Sequence, residues 1–153
     1  MRRENLAMDS PTVLCIDEIP QALELHKATL ESHGYCVRIA SSGYSAMKIL
    51  EESSVAAVLL EYKQKAMDAE TVACHIKHQF PNLPIILFSA HREIPERILW
   101  LVDEYVMRSE LPEGLVRIIE RATHPYRHAL YYSSERNLRR GEDSLFRLTN
   151  WRP

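Results

Sequence analysis

The chain has 153 residues, of which 46% are hydrophobic and 26% are charged, and its formal net charge is -2. This length suits one domain with a buried core, and this composition is ordinary for a globular protein. The small net charge does not indicate a nucleic-acid-binding protein, and no apolar stretch reaches the ~18 residues that a membrane span needs. Because the N-terminus is polar and does not resemble a signal peptide, we expect a cytoplasmic protein.

The three cysteines, Cys15, Cys36 and Cys74, are odd in number, far apart in the chain and without C-x-x-C spacing. This pattern predicts neither a disulfide framework nor a zinc site. We expect all three side chains to be small buried hydrophobic groups.

In chain order, a polar leader is followed by short apolar segments that alternate with segments of helical periodicity. Residues 1–11 form the leader, residues 12–123 form the predicted domain, and residues 124–153 form a C-terminal extension. The predicted strands cover residues 12–16, 35–40, 55–61, 83–88 and 104–107, and the predicted helices cover about 20–32, 44–52, 69–79, 94–101 and a last helix that opens at 111–113.

Helix boundaries are indicated by individual residues. Pro20 suits the first turn of the first helix, and Gly34 suits the position just past its end. Ser42 can cap the second helix. The predicted core face of the first helix carries Ala22, Leu23, Leu25, His26 and Leu30, with His26 as a hydrogen-bonded core residue, while His75 and His78 are expected on a solvated helix face rather than on a metal.

The segment at residues 55–61 is the most apolar of the predicted strands. Its sequence is V-A-A-V-L-L-E, six apolar residues followed by Glu61. A run rich in Val and Leu is typical of a strand that is buried on both faces of a sheet. Five strands that alternate with five helices predict an α/β fold, a doubly wound five-stranded parallel sheet with the flavodoxin-like order 2-1-3-4-5.

Polar residues follow the predicted strands where those strands end. Asp17 and Glu18 follow the first strand, and Glu61 ends the third. Ser89 and Arg108 follow the fourth and fifth strands. In an open parallel sheet, ligands bind outside the carboxyl ends of the strands. We therefore expect these side chains to gather at one edge and to form the functional surface around Glu61.

Residues 11–123 resemble the receiver domains of bacterial two-component response regulators. The family opens with a hydrophobic strand and an acidic pair, which here are residues 13–16 and Asp17-Glu18. Its G-Y and D/G turns fall on Gly34-Tyr35 and Ser42-Gly43. The family's hydroxyl after strand four falls on Ser89, its switch aromatic on Tyr105 and its lysine on Arg108.

The departures from the family pattern fall on the residues that carry out the family's phosphoryl transfer. In the family, an Asp at position 61 accepts a phosphoryl group, and Mg²⁺ is held by that Asp and the acidic pair. This chain has Glu61, Arg108 in place of the lysine, and Ser109 where the family has proline. The loop after the third strand has lost its Pro and its Gly. Several changes in one pocket predict that phosphoryl transfer has been given up.

Glu61 extends its carboxylate by one methylene, on the order of 1.5 Å, toward the place of a phosphoryl group. Phosphoryl transfer needs in-line placement, and such a displacement can cost ~100-fold in rate. The guanidinium of Arg108 can pair with this carboxylate through two hydrogen bonds, so the pair would partly imitate the phosphorylated state. Three acids beside one arginine leave unbalanced negative charge, and Mg²⁺ on Asp17, Glu18 and Glu61 therefore remains an alternative.

Each of these residues also has a purely structural interpretation. Asp17 could cap the first helix and Ser89 the fourth. Glu61 could be an exposed acid at the end of its strand, and Arg108 could pair with any nearby carboxylate. Tyr105 could be a packing residue, since aromatic side chains suit strands.

The extension at residues 124–153 lies beyond the resemblance. It carries six arginines against three acidic residues, a net charge of +3, with interleaved aromatic residues. We expect it to dock on the domain or on a partner, because Arg and aromatic side chains favour protein interfaces. Nucleic-acid binding by this extension is the alternative.

The resemblance implies a signalling module whose contact face lies around the fourth helix, fifth strand and fifth helix. We expect an atypical receiver-like module that acts through protein–protein contacts without aspartyl phosphorylation. Its partner would be a histidine kinase, an output protein or a second copy of the chain. Phosphorylation at another acceptor, Asp17 or Asp68, is the alternative. An enzyme is not expected, because no nucleophile–base pair and no phosphate-cradling glycine loop is present in the sequence.

Overall fold

The computed structural model describes residues 10–63, 68–91, 93–107 and 112–124 of the chain. Most of the predicted leader, the loop at 64–67, Arg108 with Ser109, and nearly all of the C-terminal extension lie outside the described residues. The predictions made for these segments, including the pairing of Glu61 with Arg108, therefore remain predictions.

Strands and helices alternate along the described chain, as the sequence predicts. The strands are β1 (Thr12–Ile16), β2 (Cys36–Ala40), β3 (Ala57–Glu61), β4 (Ile85–Ser89) and β5 (Glu104–Met107). The helices are α1 (Pro20–Ser32), α2 (Gly43–Glu52), α3 (Ala69–Gln79), α4 (Glu96–Leu99) and α5 (Pro112–Thr123).

The strands form one parallel sheet in the order β2-β1-β3-β4-β5. This order confirms the predicted flavodoxin-like, doubly wound topology. It places β1 and β3 side by side, with Cys15 level with Leu59 and Ile16 level with Leu60. All five residues of β3 are buried, in agreement with its continuous apolar sequence.

Alternate residues of the strands enter two separate cores, because successive side chains point to opposite faces of a sheet. Leu14 and Leu60 belong to one core, with residues of α2, α3 and α4. Cys15 and Leu59 belong to the other, with residues of α1 and α5. The helices therefore cover both faces of the sheet.

The helix boundaries follow the local signals in the sequence. Pro20 is the first residue of α1, and Gly34 beyond its end has φ of +88°, a conformation that favours glycine. Ser42 caps α2: its Oγ accepts the backbone N–H of Ser45 at 3.1 Å, and the Ser45 Oγ accepts the backbone N–H of Ser42 at 3.3 Å. This reciprocal pair satisfies two otherwise unbonded donors at the start of the helix.

Several details differ from the predictions made from sequence, and β2, β3 and β4 each begin one or two residues later than predicted. Leu25 is 66% exposed, because the buried stripe of α1 is narrow and consists of Leu23, His26 and Leu30. Cys36 and Cys74 are exposed, and of the three cysteines only Cys15 is buried. The fourth helix is shorter than predicted, with bounds Glu96–Leu99.

The histidines lie where their helix faces predict. His26 is buried, and its ring meets the ring of Phe88 edge-on, with centroids 4.9 Å apart. His75 and His78 are both exposed on α3. No helix in the described ranges combines the length and the apolar composition that crossing a membrane requires.

Candidate functional site

The strand register brings the predicted polar residues to one edge of the sheet. Ile16 is level with Leu60, so Asp17 and Glu61 follow at the same level on neighbouring strands. Glu61 is in turn level with Phe88 on β4, and Ser89 comes next. We call this edge, with Asp17, Glu18, Glu61 and Ser89, the carboxyl edge.

Asp17 is almost fully buried, with 2% of its surface exposed. Its Oδ1 accepts the backbone N–H of Ile19 at 3.0 Å, and its own backbone N–H donates to the carbonyl of Ala40 at 3.1 Å. Its Oδ2 is buried and has no hydrogen-bond partner among the described residues. The residue at the cap position of α1 is Ile19, so the role of a helix cap does not account for Asp17. A buried carboxylate oxygen left without a partner costs free energy.

Glu61 is also buried, with 5% of its surface exposed, whereas Glu18 is half-buried. The interpretation of Glu61 as an ordinary exposed acid is therefore wrong. The burial follows from the position of β3 in the middle of the sheet, where β1 and β4 flank it on both sides. Glu61 thus carries its carboxyl group into a confined space at the carboxyl edge.

The negative charge at this edge also affects the thiol of Cys15 on β1. Burial, and in second place the negative charge of Asp17, raise the pKa of the Cys15 thiol from 9.0 to about 12. Cys15 therefore stays protonated at neutral pH and serves as a core residue. A reactive thiolate at this position is not supported, because the thiolate is the nucleophilic form.

A set of contacts beside Ser89 involves His91, which the sequence did not single out. Ser89 is fully buried, and its Oγ accepts the backbone N–H of His91 at 2.9 Å. The hydroxyl of Tyr105 donates to the backbone carbonyl of His91. The ring of His91 lies edge-on to that of Tyr62, with centroids 6.4 Å apart. Ser89 therefore orders the loop after β4 and does not cap α4, whose cap residue is Pro95.

These contacts explain why His91 was missed. Both hydrogen bonds of His91 use backbone atoms, which every residue supplies and which leave no sequence signature. The one signal in the sequence was its position, two residues past the end of a strand at the predicted edge. Tyr105 is half-buried on β5, and its hydroxyl reaches across to this loop. Tyr105, which stands at the switch-aromatic position of the family, is thus hydrogen-bonded to the loop that follows β4.

Magnesium is the ion that the family resemblance implies for this edge. Among the described residues, no three His, Cys, Asp or Glu side chains are placed so that they could share a metal ion. The buried Oδ2 of Asp17 is one oxygen that could bind Mg²⁺, which in proteins takes one or two carboxylates and completes its octahedral coordination with water. Magnesium at this edge therefore remains the alternative that the resemblance implies.

Asp68, the other candidate phosphoryl acceptor, occupies the cap position of α3. It is exposed, and its Oδ2 accepts the hydroxyl of Thr71 at 3.3 Å. Its side chain makes no capping hydrogen bond to the backbone of α3.

The strand order and the acidic edge define an α/β domain of flavodoxin-like topology, with its site outside the carboxyl ends of the central strands. The family model of the response regulator receiver domain matches residues 13–106, more than half of the chain. The chain therefore belongs to the response regulator receiver domain family, and it is a receiver domain of two-component signalling.

Relatives of known name agree with this assignment. The transcriptional regulatory protein GlrR of Escherichia coli is 30% identical over 86 residues, which are 56% of this chain and 19% of GlrR. The sensor histidine kinase GacS of Pseudomonas protegens is 26% identical over 125 residues, which are 76% of this chain and 14% of GacS. The chain thus spans less than a fifth of the length of either relative.

Solved structures show the same fold. The response regulator TrrA of Thermotoga maritima, crystallised with Mg²⁺ and BeF, has a TM-score of 0.69 at 26% identity. The match covers 73% of this chain and 98% of the TrrA chain.

Proposed function

We propose that this receiver domain signals through protein–protein contacts without aspartyl phosphorylation. In this proposal Glu61 occupies the place of the phosphoryl-accepting Asp, and Arg108 replaces the lysine that would face the phosphoryl group. The observation that carries the proposal is the burial of Glu61 at the end of β3, level with Asp17. A longer carboxylate confined there takes up space that in-line phosphoryl transfer needs.

The state of Tyr105 supports the proposal. Its hydroxyl is already bonded to the backbone carbonyl of His91, and Ser89 bonds to the backbone N–H of the same residue. Two elements that a phosphoryl group would otherwise reposition are therefore engaged within the chain. A contact surface that depends on them needs no covalent trigger.

The surface around α4, β5 and α5 has the character of a contact face. Trp100, just past α4, is 86% exposed, and Leu99 is 40% exposed. Exposed aromatic side chains are enriched where proteins meet. At the edge strand β5, Glu104 pairs with Arg121 of α5 at 2.6 Å. A cytoplasmic partner, either a histidine kinase, an output protein or a second copy of the chain, would dock here.

The proposal is tested by incubating the protein with acetyl phosphate and Mg²⁺ and then measuring its intact mass. The wild-type chain is expected to gain no adduct of about 80 Da, the mass of a phosphoryl group. The Glu61→Asp variant restores the shorter acceptor and should gain the adduct to a measurable extent. A stable adduct on the wild-type chain would overturn the proposal.

Peptide mapping distinguishes the remaining phosphorylation alternatives. An adduct on Asp17 or Asp68 that disappears in Asp17→Asn or Asp68→Asn would establish another acceptor. The same variants also test for magnesium binding. The proposed function requires no bound cofactor. Calorimetric titration with Mg²⁺ should give no heat of binding beyond dilution, whereas saturable binding lost in Asp17→Asn would support the magnesium alternative.

A further inference from the structure

We infer that the cavity between α1 and α5 is a binding site for a small, uncharged aromatic molecule. The cavity has a volume of about 340 Å³ and lies on the sheet face that these two helices cover. This volume falls within the range of about 300 to 1,000 Å³ that is usual for ligand pockets. It lies beside the carboxyl edge, and its described lining includes none of Glu61, Ser89 and Tyr105, although one wall is the start of α5.

The stripe of α1 that faces the cavity consists of Ala22, Leu25, His26 and Thr29. These positions are three, four and seven residues apart, so they share one side of the helix. This stripe explains the exposure of Leu25, which borders the cavity instead of entering the core. The opposite wall is the start of α5, with Leu115 as its buried member.

The chemistry of the lining determines what can bind. No Asp, Glu, Lys or Arg is among the described residues that line the cavity, so a charged molecule would lose its hydration without gaining an ion pair. The aromatic ring of Phe88 and the aliphatic side chains of Leu25 and Leu115 offer apolar contact. His26 and Thr29 carry the hydrogen-bonding atoms. A flat ring with a single polar group matches this lining, and indole is a suitable probe.

The cavity is linked to the carboxyl edge through one residue. Phe88 lines the cavity, contacts His26, and is level with Glu61 in the sheet. Its backbone carbonyl accepts the N–H of Tyr62, the residue after Glu61, at 2.9 Å. A molecule that packs against Phe88 is therefore one side chain away from the proposed signalling site.

The test is a titration of the full chain with indole, followed by ¹H–¹⁵N NMR spectra. We expect saturable shifts of the amides of Ala22 to Thr29, Phe88 and Leu115. The variant Ala22→Leu fills the cavity and should weaken the binding at least tenfold. The matched control Ala28→Leu makes the same change on the exposed face of α1 and should leave the affinity unchanged.

Circular dichroism shows whether Ala22→Leu is folded, and Thr29→Leu replaces it as the filling variant if it is not. Absence of saturable shifts up to the solubility limit of indole would overturn the inference, as would equal affinities of Ala22→Leu and Ala28→Leu. Sedimentation provides a further check. If Ala22→Leu converts a dimer into a monomer, the cavity is a contact between copies of the chain and the inference is wrong. All these readouts are independent of acetyl phosphate, so the inference and the proposed function fail separately.

Discussion

The buried or partly buried acids at the two ends of the parallel sheet differ in their hydrogen bonds. At the amino end, Asp103 precedes β5 and its Oδ2 accepts two hydrogen bonds, from the Lys77 ammonium at 2.7 Å and from the backbone N–H of Ile85 at 2.8 Å. Lys77 also donates to the carbonyl of Leu83 at 2.8 Å. At the carboxyl end, Asp17 is more deeply buried, yet its Oδ2 has no hydrogen-bond partner in the part of the chain that the structure describes.

Under the proposed function, this difference separates residues that stabilise the fold from residues that are kept for the site. The hydrogen bonds of Lys77 and Asp103 at the amino end join α3, the loop before β4 and the loop before β5, as expected of a structural contact. The carboxyl end keeps a buried acid at a cost in free energy. Stability measurements on the two ends should therefore differ in sign.

The largest effect is expected at the amino end. Replacing Asp103 with Ala leaves the buried N–H of Ile85 without its acceptor and Lys77 without its ion-pair partner. We expect the free energy of unfolding to fall by about 2 kcal/mol, measured by urea denaturation. The Asp103→Asn variant keeps an acceptor oxygen and should lose about half as much. An Asp103→Ala variant as stable as the wild type would contradict the structural role assigned to this end.

A smaller effect on stability is expected from the ionisation of Cys15, which lies on β1 near the carboxyl edge. Its pKa rises from 9.0 to about 12 on folding, so the folded chain binds the thiol proton more tightly than the unfolded chain. This contribution is complete below pH 9 and is lost as the pH rises toward 12. At pH 10 the loss should be on the order of 1 kcal/mol.

The Cys15→Ala variant lacks this dependence and is the control. Urea denaturation at pH 8 and at pH 10 should show the stability difference between wild type and variant shrinking by that amount. The pKa of Tyr35 is also raised, chiefly by burial, but Tyr35 titrates in both proteins and cancels from the difference. A stability difference between wild type and variant that does not change with pH would show that folding does not raise the pKa of the Cys15 thiol.

The smallest effect, opposite in sign, is expected from Asp17. The Asp17→Asn variant keeps the Oδ1 that accepts the N–H of Ile19 and removes the charge from the buried side chain. We expect its free energy of unfolding to be higher than that of the wild type by about 1 kcal/mol. The Asp17→Ala variant also loses the hydrogen bond to Ile19, so its free energy of unfolding should rise by less. A less stable Asp17→Asn variant would mean that the carboxylate is compensated in the folded chain.

Much of the fold could be predicted from the sequence, because it rests on local patterns. The Val- and Leu-rich run before Glu61 predicted the central buried strand, and Ser42 predicted the start of α2 to within one residue. The exposure of Leu25 and Cys74 could not be predicted, since each lies next to the buried stripe of its helix and only the packed neighbours define the width of that stripe.

The candidate site was predicted less completely. Its carboxyl-edge residues follow from the strand order, and Asp17 and Ser89 lie on the strand ends where that order places them. The role of His91 could not be predicted, because it contributes backbone atoms to Ser89 and Tyr105. The orphaned Oδ2 of Asp17 is likewise a property of the packed structure and not of the sequence.

The most direct test of the central claim is a titration with beryllium fluoride and Mg²⁺, the additives bound in the crystal structure of TrrA, followed by ¹H–¹⁵N NMR spectra. The proposed function, in which Glu61 fills the acceptor site, predicts that the wild-type chain gives the same spectrum with and without them. The Glu61→Asp variant should show shifts at that site. Saturable shifts of the wild-type amides of Glu61, Ser89 and Tyr105 would contradict the account.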